Sequence, residues 1–181
     1  MSENTDRPTW DEFWFQVALI YSTRATCDRL RTATVIVKNN RQIGAGYNGS
    51  VPGGDHCDDV GHFLINNHCE RTLHGEQNAI INSTREGLHG STAYFLGTPC
   101  VRCFKELVAA GVIEIKCLGT YENSLGKDFI LELVKETGVK IEFFEFDPRE
   151  LIESEIRALD RRGGRLYKKK KKKKKTPEKF L

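Results

Sequence analysis

The sequence has no run of apolar residues near the ~20 needed to span a bilayer, which argues against a membrane-embedded chain. Met1-Ser2-Glu3-Asn4 does not open a secretory signal either, so the expected compartment is the cytosol. There, six cysteines are expected as metal ligands or buried thiols rather than as disulfides. No internal repeat is present. Most of the chain also lacks an excess of positive charge. The formal net charge is +3, yet eight of the 28 basic residues form one run, 168–175. The other 20 face 25 acidic residues, and a body of that sign is a poor non-specific binder of nucleic acid.

The remaining composition is that of a globular protein, with 39% hydrophobic and 29% charged residues in a chain of 181, long enough to bury a core. Trp10, Phe13, Trp14, Val17, Ala18 and Tyr21 recur at spacings of three and four, which predicts a helix over 10–25 with Thr9 as its cap. Two β-branched runs, 32–38 and 43–47, joined by Asn39-Asn40-Arg41-Gln42, predict a hairpin. Residues 48–73 carry no sustained periodicity. A loop of that length is unusual in a compact domain unless it is functional or tied down.

Beyond it, helices are expected over 75–86, 100–110, 127–137 and 148–161, and strands over 92–96, 114–118 and 140–144. Strand alternating with helix makes the later strands parallel. The expected fold class is therefore α/β, a five-stranded mixed sheet flanked by helices on both faces. Residues 1–162 are expected to form the domain and 163–181 a disordered lysine-rich tail. Eight lysines in a row repel one another and stay solvated, so nucleic-acid contact by that tail is not favoured over an inert role.

Two short motifs carry the chemistry: His74-Gly75-Glu76 and Pro99-Cys100-Val101-Arg102-Cys103. A His-x-Glu followed by Pro-Cys-x-x-Cys is the signature of zinc-dependent nucleobase deaminases. Cys100 and Cys103 lie three apart at a predicted helix start, so both sulfurs face one side of its first turn, where the helix end favours thiolates. One imidazole, that of His74, and two thiolates make three ligands. Three protein ligands with an open fourth position mark a catalytic zinc, whereas structural zinc is closed by four. Glu76, two residues past the ligand, is the candidate acid/base group that moves the proton of a water. A Cys-x-x-Cys by itself also fits half of a structural zinc knuckle or a redox pair.

The chain resembles the deoxycytidylate (dCMP) deaminase family, including its competence-associated bacterial members, in the cytidine deaminase superfamily. The resemblance runs from about Trp10 to Phe144. It rests on Thr26-Cys27-Asp28-Arg29, on the run from Gly46 to Gly53, on the run from His68 to Ile80, and on Pro99 to Cys103. It implies a cytidine-deaminase-like three-layer α/β/α fold and zinc-dependent conversion of dCMP to dUMP with release of ammonia. It also implies a homo-oligomer, with dCTP and dTTP as effectors. Asn48 is then expected at the sugar, and Glu76 and the backbone near Gly75 at the base. The family usually has Ala at the position of Gly75, and the missing methyl is expected to loosen the base pocket without touching a ligand.

A nucleotide phosphate needs donors. Arg24, Arg29 and Arg31 cluster after the first helix, and guanidinium forks suit phosphate oxygens; Tyr121 is a further candidate. Some members of the family hold a second, structural zinc near the long loop. Here Cys27, Cys57, His62 and Cys69 are the candidate ligands, with free thiols or a disulfide as the alternatives. Cys117, in an apolar strand, reads as a core thiol. Two rival functions share the fold. A polynucleotide deaminase, acting on tRNA or single-stranded DNA, needs a basic, aromatic-lined groove, and no such interleaving is seen. A non-catalytic nucleotide sensor would tolerate a broken catalytic set, whereas here the set is complete.

Overall fold

The computed structural model describes residues 7–120 and 126–161; Tyr121, the lysine run and the expected boundary at residue 162 lie outside the described residues. The chain begins with α1 (Trp10–Ser22). Its first turn is closed by a capping box, in which Thr9 Oγ1 accepts from the Glu12 amide and Glu12 Oε2 accepts from the Thr9 amide at 2.7 Å. The periodicity extends to residue 25, but the helix ends three residues sooner. The hydroxyls of Ser22 and Thr23 turn back onto the carbonyls of Leu19 and Ile20 and favour a turn there.

Next come β1 (Ala33–Lys38) and β2 (Arg41–Tyr47), joined by a two-residue turn of Asn39 and Asn40. Both asparagines have positive φ, the geometry a tight hairpin turn requires and asparagine tolerates. The long segment after β2 contains five short elements: β3 (Gly49–Ser50), α2 (Cys57–Val60), β4 (Leu64–Ile65), β5 (His68–Cys69) and β6 (Thr72–Leu73). There, β3 pairs with β6, and β4 with β5 around Asn66-Asn67, a second positive-φ asparagine pair.

The remainder follows the predicted alternation: α3 (Gly75–Ile81), α4 (Arg85–Leu88), β7 (Ser91–Leu96), α5 (Val101–Ala109), β8 (Val112–Leu118), α6 (Lys127–Thr137), β9 (Lys140–Phe144) and α7 (Pro148–Arg161). The single helix expected over 75–86 is two. The Ser83 hydroxyl donates to the Ala79 carbonyl, and Thr84 caps a new helix by accepting from the Gly87 amide.

The five long strands form one sheet in the order β2-β1-β7-β8-β9. In it β1 is antiparallel to both its neighbours, and β7, β8 and β9 are parallel. Side chains alternate across it with period two. Val35, Val37, Tyr94 and Leu118 pack with Trp14, Phe15 and Ala18 of α1 on one face, while Ile36, Ala93, Ile115 and Cys117 pack with α3, α5 and α6 on the other. The arrangement is the expected three-layer α/β/α sandwich. On the α1 face one polar group is set into the apolar layer: Asp11 accepts from Tyr94 and from Lys116, both at 2.7 Å. Among the described residues no helix is long and apolar enough to cross a membrane.

What positions the other face is the approach of α3 to β2. A Cβ at Gly46 would lie 2.4 Å from the Ala79 amide nitrogen and 2.5 Å from the Gly75 carbonyl oxygen, and one at Gly44 would lie 2.8 Å from the Ala79 carbonyl oxygen. Only glycine admits a helix this close. Asn78 and Asn82, one turn apart on α3, donate their amides to the carbonyls of Tyr47 and Ala45 at 2.9 and 3.0 Å, satisfying part of an otherwise open sheet edge. We expect Gly46→Ala to lower unfolding stability by about 1–3 kcal/mol or more. Ile81→Ala, on the exposed side of α3, should cost within about 0.5 kcal/mol in the same denaturant titration.

Candidate active site

The N-terminal ends of α3 and α5 meet beside β1 and β7. His74 and Cys100 are the residues immediately before the two helices, both with extended backbone, and Cys103 follows in the first turn of α5. His74 Nδ1 lies 3.7 Å from Cys100 Sγ and 3.3 Å from Cys103 Sγ. With the three donor atoms within 4.8 Å of one another, the set fits a single soft metal ion. Hydrogen bonds from Cys103 and His74 hold the Cys100 thiol far below its ordinary range, to about 3, while Cys103, sharing its proton with Cys100 and buried, is pushed upward. Hydrogen bonding to Cys100 raises the His74 imidazole against the effect of burial.

Glu76 is 1% exposed, and its Oε2 has no hydrogen-bond partner. Burial pushes its carboxyl up to about 7. A buried carboxyl group with one oxygen unpartnered, beside a three-donor cluster, is costly for the fold and suits a group that exchanges a proton near neutral pH. A cavity of about 190 Å³ opens onto His74, Glu76 and Cys100. Asn48, buried beside it, accepts the Gly75 amide on Oδ1 at 2.8 Å and donates Nδ2 to the Leu30 carbonyl at 3.0 Å. The Gly75 position faces the sheet: a Cβ there would lie 3.2 Å from Ala33 Cα and from the Gly46 carbonyl oxygen. The missing methyl therefore relieves contact with β1 and β2.

Gln77 is a site residue that the sequence analysis does not single out. Its Oε1 accepts the His74 amide at 3.0 Å and its Nε2 donates to Glu106 of α5 at 3.3 Å, which ties together the two helices that present the donors. A Gln three residues after the helix cap was the available signal.

The arginines expected near the mouth separate in space. Arg29 lines the cavity and donates to the Asn67 carbonyl at 2.8 Å. Arg31 is engaged by the Ala25 carbonyl and by Asp58 at 3.1 Å, and neither it nor Arg24 lines the cavity. Arg102 and Glu70 line it instead.

A second cluster forms in the long segment. Donor atoms of Cys27, Cys57, His62 and Cys69 lie within 4.8 Å of one another, with Cys57 Sγ 3.5 Å from Cys69 Sγ and Cys27 Sγ 3.7 Å from His62 Nδ1. The far ring nitrogen of His62 meets Asp28 at 3.0 Å, the outer partner a metal-bound imidazole commonly has. Burial raises the Cys57 thiol to about 12. Cys69 is only partly buried, and hydrogen bonds from the Arg71 amide and His62 hold it down at about 7. Cys27 and Cys69 also line the cavity, so both clusters contribute to its wall. Cys117 is fully buried in the core.

The sequence profile of the cytidine and deoxycytidylate deaminase zinc-binding region matches residues 8–118. ComE operon protein 2 of Bacillus subtilis is 34% identical over 144 residues, covering 78% of this chain and 75% of that protein. The deoxycytidylate deaminase of Schizosaccharomyces pombe is 28% identical over 151 residues, and the match covers about half of its length, 46%. Among solved structures, dCMP deaminase from the cyanophage S-TIM5, in complex with dCMP and dUMP, superposes with a TM-score of 0.63 at 24% identity. That match covers 76% of this chain and 98% of the other, so the two share a fold.

Asn48→Ala should strand the buried Gly75 amide and lower stability by about 1–3 kcal/mol, read by denaturant unfolding. A change under about 0.5 kcal/mol would mean that the amide finds another partner.

Proposed function

Because the chain belongs to the cytidine and deoxycytidylate deaminase family, and is thus a deaminase, we propose that it hydrolyses dCMP to dUMP and ammonia in the cavity between the two clusters. The observation that carries the reading is the buried Glu76 carboxyl group, with its Oε2 unpartnered, beside three donors suited to zinc.

In this reading His74, Cys100 and Cys103 hold one zinc ion. Bound there, zinc supplies Lewis acidity that lowers the pKa of a water towards ~7. Glu76, raised to about 7 by burial, takes a proton from the water whose oxygen attacks C4. It delivers that proton to ring N3 and then assists departure of the C4 amino group, so that a C–O bond replaces the C–N bond and ammonia leaves. Asn48 is fixed by its two backbone partners and keeps one further amide N–H for a sugar hydroxyl. Of the three arginines that follow α1, Arg29 alone lines the cavity and can contribute to the field around the phosphate. The second cluster, with four ligands and no open position, takes a structural zinc that pins the long segment forming the cavity wall.

Two further points come with the family reading. Apolar side chains exposed on α1 and around β4, among them Trp10, Phe63, Leu64 and Ile65, support assembly into a homo-oligomer; dCTP and dTTP as effectors rest on the family resemblance alone. Six cysteines, none of them in a disulfide, support a cytosolic location.

Purified with zinc, the protein should release ammonia from dCMP, and Glu76→Gln should cut turnover by about 10²–10⁴-fold without loss of metal. Turnover that survives this substitution would remove Glu76 from the mechanism. Metal analysis should find two zinc ions per chain, and one in Cys57→Ser. A single zinc in the unaltered protein would eliminate the second centre.

A further inference from the structure

The cavity contains a charge problem that the arginines near α1 do not solve. Two carboxylates line it, Glu76 in the depth and Glu70 on the wall beside Cys69. A nucleotide monophosphate carries close to two negative charges at neutral pH. Of the three arginines that follow α1, only Arg29 reaches the cavity, and it is already held by the Asn67 carbonyl. One guanidinium against two carboxylates is an unfavourable host for a dianion.

The cavity has one other arginine. Arg102 stands between Cys100 and Cys103 in the first turn of α5, so its backbone is fixed relative to the donor cluster. Its guanidinium makes no hydrogen bond among the described residues. Its charged partner is Glu70, at 3.7 Å, with the two side chains 66% and 38% exposed. That distance is longer than a hydrogen bond, and an ion pair this open is worth little. Carboxylate and phosphate present similar pairs of oxygens to a guanidinium fork, so one can replace the other with little rearrangement.

We propose that Arg102 is the specificity-determining residue for the nucleotide, its guanidinium leaving Glu70 to hold the 5′-phosphate. This rests on the reading of the cavity as a nucleotide site. Glu70 then holds the guanidinium when no phosphate is present and competes with the phosphate for it. A nucleoside offers nothing to displace that contact and gains nothing from Arg102. The two residues consequently act with opposite sign on nucleotide affinity and leave the base-reading groups alone.

The test is calorimetric binding of dUMP and of deoxyuridine to the zinc-loaded protein at one fixed ionic strength. Arg102→Gln should weaken dUMP by roughly ten- to a hundredfold, as for one charge-assisted hydrogen-bonding group, and deoxyuridine by less than about threefold. Arg102→Lys, which keeps the charge without the fork, should fall between. Glu70→Gln should tighten dUMP by up to about fivefold. Arg41→Gln, at the exposed hairpin turn, controls for net charge and should change neither ligand.

Equal losses for dUMP and deoxyuridine in Arg102→Gln, no loss of dUMP, or weaker dUMP binding in Glu70→Gln would each overturn the proposal. Zinc content and circular dichroism identify a variant that has merely misfolded, in which case Arg102→Lys and Glu70→Gln decide. If the unaltered protein binds neither ligand, the nucleotide reading itself falls. If it binds dUMP and the variants follow it, only the role of Arg102 falls.

Discussion

Everything at the candidate active site depends on how closely α3 can lie against β2. Gly44 and Gly46 leave out the Cβ atoms that would hold the helix away, and Asn78 and Asn82 bond it to the carbonyls of the strand. With the helix seated, the Gly75 amide comes within hydrogen-bond reach of Asn48, His74 turns towards α5, and the Glu76 side chain is buried. A helix displaced by one methyl radius would break this set together, because each contact is short-ranged and the interior is close-packed.

The electrostatic side follows from the same seating. A carboxyl group and a thiolate are brought out of water at adjoining helix ends, which in an ordinary core would be strongly destabilising. The helix N-termini offset part of that cost, and the chemistry of the donors calls for a cation to offset the rest. The Gln77–Glu106 bond joins the two helices on the outer side of the centre, so the donors are held by more than their own backbone. The second cluster brings chain positions 27, 57, 62 and 69 together at one point beside the cavity.

Much of this was legible in the sequence because it is periodic or local. The α6, β9 and α7 bounds coincide with the pattern, and the two donor motifs fall at helix starts as their spacing demanded. Helix ends were less legible where Ser22, Thr23, Ser83 and Thr84 compete for backbone groups, a contest decided by a few tenths of a kcal/mol to about 1 kcal/mol. The long segment hid its hairpin, although Asn66-Asn67 repeats the signal of Asn39-Asn40. The partition of the arginines was not legible. Arg31 goes to Asp58, 27 residues away, and Arg102 to Glu70, pairings that exist only once the chain has folded.

The cavity is assembled from two kinds of material. Its floor consists of helix ends seated by glycine and asparagine, where almost any change of shape would disturb several contacts at once. Its rim consists of side chains such as Glu70 and Arg102 that stand in solvent and carry little of the fold. Inherited variation can therefore explore the rim while leaving the floor intact. A lineage built on this scaffold can change which molecules it admits far more readily than what it does to them.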